Sequence, residues 1–374
     1  MIVTDRPEHH ELRTAVRKLL EQAAPIDRVV EHAAGERGYD EQLWRRLAQE
    51  IGVAGLAIPE RFGGVGATAH EDAVVAEELG RALAGTPYLS TVALAANLVL
   101  ASGDEDAGAR YLPAIAAGET TAAVAYRGPA GGDRVPVRAT RTAAGWRLSG
   151  TSSFVLDGAG ADLVLVLAAT EAGAEGERML FAGPGDATGL QRRELAVLDH
   201  TRRQAELTFD GVAVAEPLAG GASAQPWLDA ALLRAAVSLA AEQVGGAERA
   251  LESAVEYARL RVQFGRPIGS FQAIKHRCAD LAVENDRARS ALVHAIWAAT
   301  EGTADELREA AALAALTCGP AFVRAAQESI QIHGGIGFTW EHPAHRYFRR
   351  AKADLVALAE PRDYREHLLT AVGV

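Results

Sequence analysis

The sequence predicts a mainly α chain interrupted by a central β domain. Three observations carry this. Apolar residues recur at helical spacing from residue 8 to about 118, and again from Trp227 onward. From Thr120, short runs rich in β-formers and separated by turn residues replace that spacing. Residues Pro217 to Pro226 then form a Gly/Ala/Pro-rich connection back to helix. The chain divides accordingly into a helical domain at 1–119, a β domain at 120–218 and a second helical domain at 219–374.

In the first domain, Leu12, Val16, Leu19 and Leu20 form one stripe. Asp40 is placed to cap the helix carrying Leu43, Leu47 and Ile51. Residues Pro59 to Gly66 make a loop before a helix from about His70 to Ala84. Another helix is expected from about Ser90 to Ala101, and one more before Gly118. In the second domain, Thr121 to Tyr126 reads as a short apolar strand. Val135 to Thr142 and Trp146 to Ser149 read as a hairpin closed by Ala143-Ala144-Gly145. Asp162 to Ala169 is a continuous apolar strand, and Glu206 to Phe209 alternates as a half-buried one does. In the third domain a very long helix reaches about Arg261, followed by helices at about 270–301, 304–333 and 343–369.

The bulk composition narrows the class. The 374 residues can bury a large core, with 49% apolar and 23% charged residues, as in ordinary globular proteins. A net charge of −11 argues against a nucleic-acid surface, which needs a basic stripe. The two cysteines, Cys278 and Cys318, offer neither a disulfide framework nor zinc spacing, so no metal is expected. Free thiols and an N-terminus without a signal-peptide core point to the cytoplasm. The longest uncharged apolar-rich run, about Thr86 to Ser102, is too short to span a bilayer.

Two stretches about sixty residues apart stand out. The first is Arg261-Val262-Gln263-Phe264-Gly265-Arg266-Pro267-Ile268-Gly269-Ser270-Phe271-Gln272. The second is Gln331-Ile332-His333-Gly334-Gly335-Ile336-Gly337-Phe338-Thr339-Trp340-Glu341-His342. Each breaks a helical pattern with a Gly-rich turn, where backbone can approach a ligand closely. An arginine beside such a turn grips a phosphate bidentately. A bare helix-breaking turn needs none of Arg261, Gln272 or Gln331.

The pair resembles the C-terminal helical domain of the acyl-CoA dehydrogenase family. Pro59 to Gly66, and Leu198 to Val212, are also similar to family segments, so the resemblance covers nearly the whole chain. It implies an N-terminal helical bundle, a middle β-barrel and a C-terminal four-helix bundle. It implies FAD, held on its pyrophosphate and adenine side by Arg261, Gln263, Phe264 and Gln272. Gln331, Gly334 and Gly335 reach the FAD of a neighbouring subunit. The implied reaction is α,β-dehydrogenation of an acyl-CoA thioester. A base removes the α-proton while the flavin accepts a hydride from the β-carbon. The implied partners are the acyl-CoA substrate, electron-transfer flavoprotein or another acceptor, and further chains in a dimer of dimers, homo- or heteromeric.

Against the family pattern this sequence departs at the chemistry. The usual flavin-ring segments, Thr-Glu-Pro-x-x-Gly-Ser-Asp and Trp-Ile-Thr, here read Tyr126-Arg127-Gly128-Pro129-Ala130-Gly131-Gly132-Asp133 and Phe154-Val155-Leu156. Leu156 offers no hydroxyl. The two usual base positions fall on Ala235 and Leu358, and the helix arginine near the base falls on Ala236. Glu242 is the sole charge in Ala235 to Ala247 and lies two helical turns, about 10 Å, beyond Ala235. A carboxylate in apolar surroundings is a candidate base. A buried ion pair, or a bond capping a break at Gly245-Gly246, are the structural alternatives. Glu248, Glu252 and Glu256 repeat every four residues, as a solvated face does. His276, His333 and Glu341-His342 are expected to shape or flank the turns.

Two function readings follow. One is an FAD-dependent acyl-CoA dehydrogenase with Glu242 or an unrecognised acid as base. The other is a half-site partner subunit, as in family members that assemble two copies each of two different chains. An acyl-CoA oxidase or nitroalkane oxidase role stands third.

Overall fold

The computed structural model describes residues 6–35, 37–128, 136–170 and 178–371. Val135, and Pro129 to Asp133 of the first ring-side segment, lie outside the described residues. Contacts gather into two compact units. One contains residues 1–29, 68–84 and 236–374, the other 30–67 and 85–235.

The second unit is built on a sheet. Its strands are β1 (Ala122–Ala125), β2 (Val137–Thr142), β3 (Gly145–Leu156), β4 (Leu163–Thr170), β5 (Arg178–Pro184), β6 (Leu190–Glu194) and β7 (Gln204–Val214). They pair in the order β1-β4-β2-β3-β7-β6, with β5 on β4. The first half of β4 runs parallel to β1 and its end runs parallel to β2, while β5 pairs antiparallel. β2, β3, β7 and β6 are antiparallel neighbours. Alternation in β3 and β7 sends Trp146, Leu148, Ala205, Leu207 and Phe209 to one face. There they join Val137, Val166 and Phe181 in one cluster. The sheet therefore curls around its own core, as a barrel-like middle domain requires. The expected strands are all present, and β5 and β6 are additional.

Beside this sheet lie several helices of the same unit. Asp40 accepts from the backbone N–H of Gln42 and Leu43 at 2.9 and 3.0 Å and caps Glu41–Arg46 as expected. The helix before Gly118 spans Glu105–Ala116 and is capped by Asp104.

The first unit is helical. In chain order the α-helices are α1 (Pro7–Ala23), α2 (Ile26–Ala33), α3 (Glu41–Arg46), α4 (Ala69–Arg81), α5 (Asn97–Ala101), α6 (Glu105–Ala116), α7 (Gln225–Leu260), α8 (Gln272–Glu301), α9 (Ala304–His333), α10 (Ala344–Asp354) and α11 (Pro361–Ala371). Of these, α1, α4, the C-terminal two-thirds of α7 and α8 to α11 make the unit. α9 packs along α8, α10 and α11, and α1 along α4. The span 343–369, expected as one helix, is two. α10 stops at Asp354, the segment 355–360 turns, and Pro361 opens α11 at the first helical position, where a missing N–H costs nothing.

α7 runs unbroken through Gly245-Gly246, so no break is there to cap. Close approach explains the glycines instead. A Cβ on Gly245 would sit 2.0 Å from the Glu77 carbonyl oxygen, and one on Gly80 would sit 2.0 Å from that of Glu242. α4 and α7 thus cross backbone to backbone, each giving a glycine to the other. Charges buried at this crossing are paired. Arg289 of α8 reaches Glu77 at 3.1 Å and Glu248 at 2.6 Å, and Arg17 of α1 reaches Glu78 at 2.6 Å.

Candidate functional site

The first motif stretch begins where α7 ends. The Arg261 backbone N–H donates to the Tyr257 carbonyl at 2.8 Å, closing the last turn. A small hairpin follows, β8 (Val262–Gln263) on β9 (Arg266–Pro267). Its tip residues, Phe264 and Gly265, have φ of 52° and 74°. A two-residue hairpin turn of this hand needs positive φ at both. Glycine takes it freely, whereas phenylalanine does so at a cost of about 1–2 kcal/mol. Phe264 is also 90% exposed. Backbone strain of this kind clusters at functional sites. Arg266 lies over the Phe271 ring at 4.1 Å. Arg261, Gln263 and Gln272, the first residue of α8, are all exposed. At the foot of the hairpin the Ser270 hydroxyl oxygen is buried without a hydrogen-bond partner.

The second stretch begins where α9 ends. Gly334 has φ 64° and ψ −139°, which stops the helix and starts the tight turn Gly334–Phe338. Gln331, Gly334 and Gly335 are exposed, and a Cβ on either glycine would meet nothing within 4 Å. Phe338 and Trp340 stand out at 82% and 65% exposure. The structure brings the roots of both stretches onto one small core. Ala254 and Ala258 of α7, Ile268 and Ile332 pack together there, flanked by Tyr257, Phe271, Ile274 and Cys278. Nothing in the sequence pattern foretells that shared core. His276 lies on an exposed face of α8.

Glu242 sits elsewhere in the helical unit. Its carboxylate accepts from the Arg350 guanidinium of α10 in a buried ion pair, the arginine only 1% exposed. Of the three readings open for Glu242, this is the buried ion pair. Taking up a substrate proton there would first have to weaken that buried pair. Arg350 was not singled out from the sequence, although a signal exists. It falls at helical spacing with Tyr347, Ala351 and Asp354, all buried on one face of α10. The two other base positions carry no acid: Ala235 and Leu358 are buried apolar residues.

The ring-side residues belong to the sheet unit. Leu156 ends β3 and is 5% exposed. Tyr126 follows β1, and burial raises its phenol above the usual range, so it stays protonated. A bulge between Ser152 and Val155 bends β3. Phe154 and Asp157 take positive φ there, at 58° and 53°. The Ser152 hydroxyl and the Ser153 N–H both donate to the Arg127 carbonyl, at 2.8 and 3.0 Å, tying this bend to the segment after β1.

With both motif stretches at helix ends on one helical unit and a curled sheet beside them in the chain, comparison with known proteins is decisive. The profile of the acyl-CoA dehydrogenase N-terminal domain matches residues 6–119 and that of the acyl-CoA dehydrogenase C-terminal domain matches 227–357. The chain belongs to the acyl-CoA dehydrogenase family. It is 37% identical over 370 residues to acyl-CoA dehydrogenase IpdE2 of Mycobacterium tuberculosis, spanning 99% of each. It is similar to a chain of the solved ChsE4-ChsE5 complex of the same organism, at TM-score 0.89 and 30% identity, covering 100% and 99%. It is also similar to a chain of a Tcur3481-Tcur3483 steroid ACAD, at TM-score 0.86 and 32% identity, covering 98% and 97%. Acyl-CoA dehydrogenases are flavin-dependent oxidoreductases acting on CH–CH bonds, with helical outer domains and a middle sheet domain. No helix of the described residues is long and apolar enough to cross a membrane.

For an acyl-CoA dehydrogenase the residues present fit FAD unevenly. At the adenine side the exposed Arg261, Gln263, Gln272 and Gln331, the open ground over Gly334 and Gly335, and the orphaned Ser270 hydroxyl suit an anionic, donor- and acceptor-rich ligand. At the ring side Leu156 gives no hydrogen bond.

Proposed function

We propose that this chain works in α,β-dehydrogenation of an acyl-CoA thioester as the supporting chain of a mixed acyl-CoA dehydrogenase. In this reading it contributes the adenine and pyrophosphate side of an FAD site, while a different chain brings the base. The observation that carries it is the Glu242–Arg350 ion pair, which occupies the single charge of the inner α7 face. Ala235 and Leu358 at the family's base positions support it, as does Leu156 at a ring contact. So does the exposure of Phe264, Phe338 and Trp340, which suits a surface shared with another chain. The ChsE4-ChsE5 complex, a relative named as two different proteins, is a precedent.

Each residue has a definite task. Arg261 would pair with the pyrophosphate through charge-assisted bonds. Gln263, Gln272 and Gln331 would donate to and accept from polar edges of the cofactor, and Phe264 would cover it from the hairpin tip. Gly334 and Gly335 would admit the cofactor of the adjoining chain against bare backbone. FAD, when bound, supplies the hydride acceptor at the substrate β-carbon. Electrons would leave to electron-transfer flavoprotein or a similar acceptor, in the cytoplasm. The steroid named for one relative suggests a bulky acyl group.

The test is to purify the chain alone and together with a second family member carrying the missing Thr and Glu. Visible spectra are then recorded before and after anaerobic addition of short, long and steroid-derived acyl-CoAs. Stable flavin and substrate bleaching only in the mixed preparation are expected. Bleaching by the chain alone would overturn the supporting role and establish an autonomous dehydrogenase.

A further inference from the structure

Both flavin-binding stretches are rooted in one stack of rings. Tyr257, one turn before Arg261, lies 4.5 Å from His333 between ring centroids, and His333 lies 4.1 Å from His342. Tyr257 closes the helix from which the first hairpin springs, because its carbonyl accepts the Arg261 N–H. His333 is the last residue of α9, and the second turn wraps onto it. A Cβ on Gly337 would sit 2.8 Å from the His333 Cβ. His342 ends the second stretch, four residues beyond that turn. The column is therefore a physical link between a stretch directed at one FAD and a stretch directed at a neighbour's.

Hydrogen bonds fix the role of Nδ1 in both imidazoles. The His333 Nδ1–H donates to the Ser329 carbonyl at 2.7 Å. His342 Nδ1 accepts the Ala344 N–H at 3.2 Å, so its proton sits on Nε2. His342 is neutral in this arrangement, whereas for His333 burial favours the neutral ring against the Ser329 bond, which by itself favours the charged one. A proton on His342 Nδ1 would break its bond to Ala344, and a second proton on either ring would charge a close stack. The surroundings offer that charge little relief. α7 contributes the Tyr257 ring and α9 the Ser329 carbonyl, and Cys278 of α8 lies in the small core that Tyr257 flanks. α10 contributes His345, with Arg346 and Arg349 acting on it, and the turn's own Glu341 is exposed. Burial holds His333 below the usual histidine range, and burial together with His333 does the same to His342.

We propose that the column Tyr257–His333–His342 is a positioning element that couples the two flavin-binding stretches, so that filling one FAD site of the assembly pre-orders the next. The coupling operates while both imidazoles are neutral and fails in mild acid. It rests on the supporting-chain function proposed above.

The experiment titrates FAD into the flavin-stripped mixed assembly at pH 7.5 and pH 5, following flavin fluorescence, for wild type, His342→Ala and His342→Phe. Thermal melts of the flavin-free chain are recorded in parallel. Wild type should bind FAD cooperatively at pH 7.5 and about tenfold more weakly at pH 5. His342→Ala should bind about tenfold more weakly at both and without cooperativity, the effect of a lost ring pair. His342→Phe, which keeps a ring but cannot titrate, should keep the neutral-pH affinity and lose much of the pH dependence. Wild-type affinity and cooperativity in His342→Ala would overturn the coupling, as would full wild-type pH dependence in His342→Phe. If no variant binds FAD, the supporting-chain function fails. The melts then decide the column separately: an acid-labile wild type beside an acid-resistant His342→Phe supports it, and identical melts reject it.

Discussion

The two ends of the expected flavin site have diverged differently. At the adenine side, all seven motif residues are exposed on helix ends and hairpins anchored in one core. At the ring side, an aliphatic residue, Leu156, stands where the family places a hydroxyl, and it is buried. The contrast teaches that binding and chemistry can be separated within one fold. In the function proposed above, the residues assigned to cofactor binding are kept while the family's base positions carry Ala235 and Leu358. A polar group at a reacting centre is costly to keep once unused, because a buried donor or acceptor without a partner costs about 1–3 kcal/mol. Exposed binding residues carry no such cost.

The contrast can be broken most forcefully at Glu242. Arg350→Ala should destabilise the chain by about 3–5 kcal/mol, because it removes one member of a buried ion pair. Denaturant midpoints would measure this. A joint Glu242→Leu, Arg350→Met replacement should recover much of the loss and leave the turnover of the mixed assembly intact. Turnover abolished in that folded double variant would restore Glu242 as the base.

Next in size is the phosphate contact. Arg261→Ala should weaken FAD binding by about 1.5–3 kcal/mol, the worth of a charged hydrogen bond, and equilibrium dialysis would read it. An unchanged dissociation constant would remove Arg261 from the site.

The third probe is pH. Burial, then Arg346 and Arg349, push His345 down to about 4. Its folded pKa lies below its unfolded one, so the unfolded chain binds the extra proton first. Stability is full above about pH 6.5 and declines as pH falls toward about 4. His345→Phe should flatten that decline in a series of melts. A slope equal to wild type would assign it to other groups.

The smallest effect should come from rebuilding the ring side. Leu156→Thr adds one hydroxyl, worth about 1 kcal/mol if a flavin ring uses it. Slower flavin loss from the chain on gel filtration is expected. No change would mean that Leu156 does not face the ring.

Elements with strong local signals were legible in the sequence. The helix Ala304–His333 ends where expected because Thr303 and Glu306 form a capping box and Gly334 takes positive φ. Asp40 was legible as a cap for the same local reason. The strand Leu190–Glu194 was not, since LQRRE at a sheet edge has no apolar alternation to reveal it. The seven residues proposed for the flavin could be singled out because each of their two stretches is contiguous. The fate of Glu242 could not, because its partner Arg350 is 108 positions away and only the packing of α7 on α10 brings them together. The ring column was hidden likewise, its members drawn from α7, α9 and the turn beyond.

The helical unit is stitched from three separated parts of the chain, 1–29, 68–84 and 236–374. On the ribosome, α1 and α4 therefore emerge long before the helices that cover them. α4 cannot seat until Gly245 has been made, since the two backbones touch there. The parts of the sheet unit, 30–67 and 85–235, are all synthesised earlier. Synthesis thus delivers the sheet first and leaves the apolar faces of two early amphipathic helices waiting, an interval in which a nascent chain is exposed to aggregation and calls on chaperones.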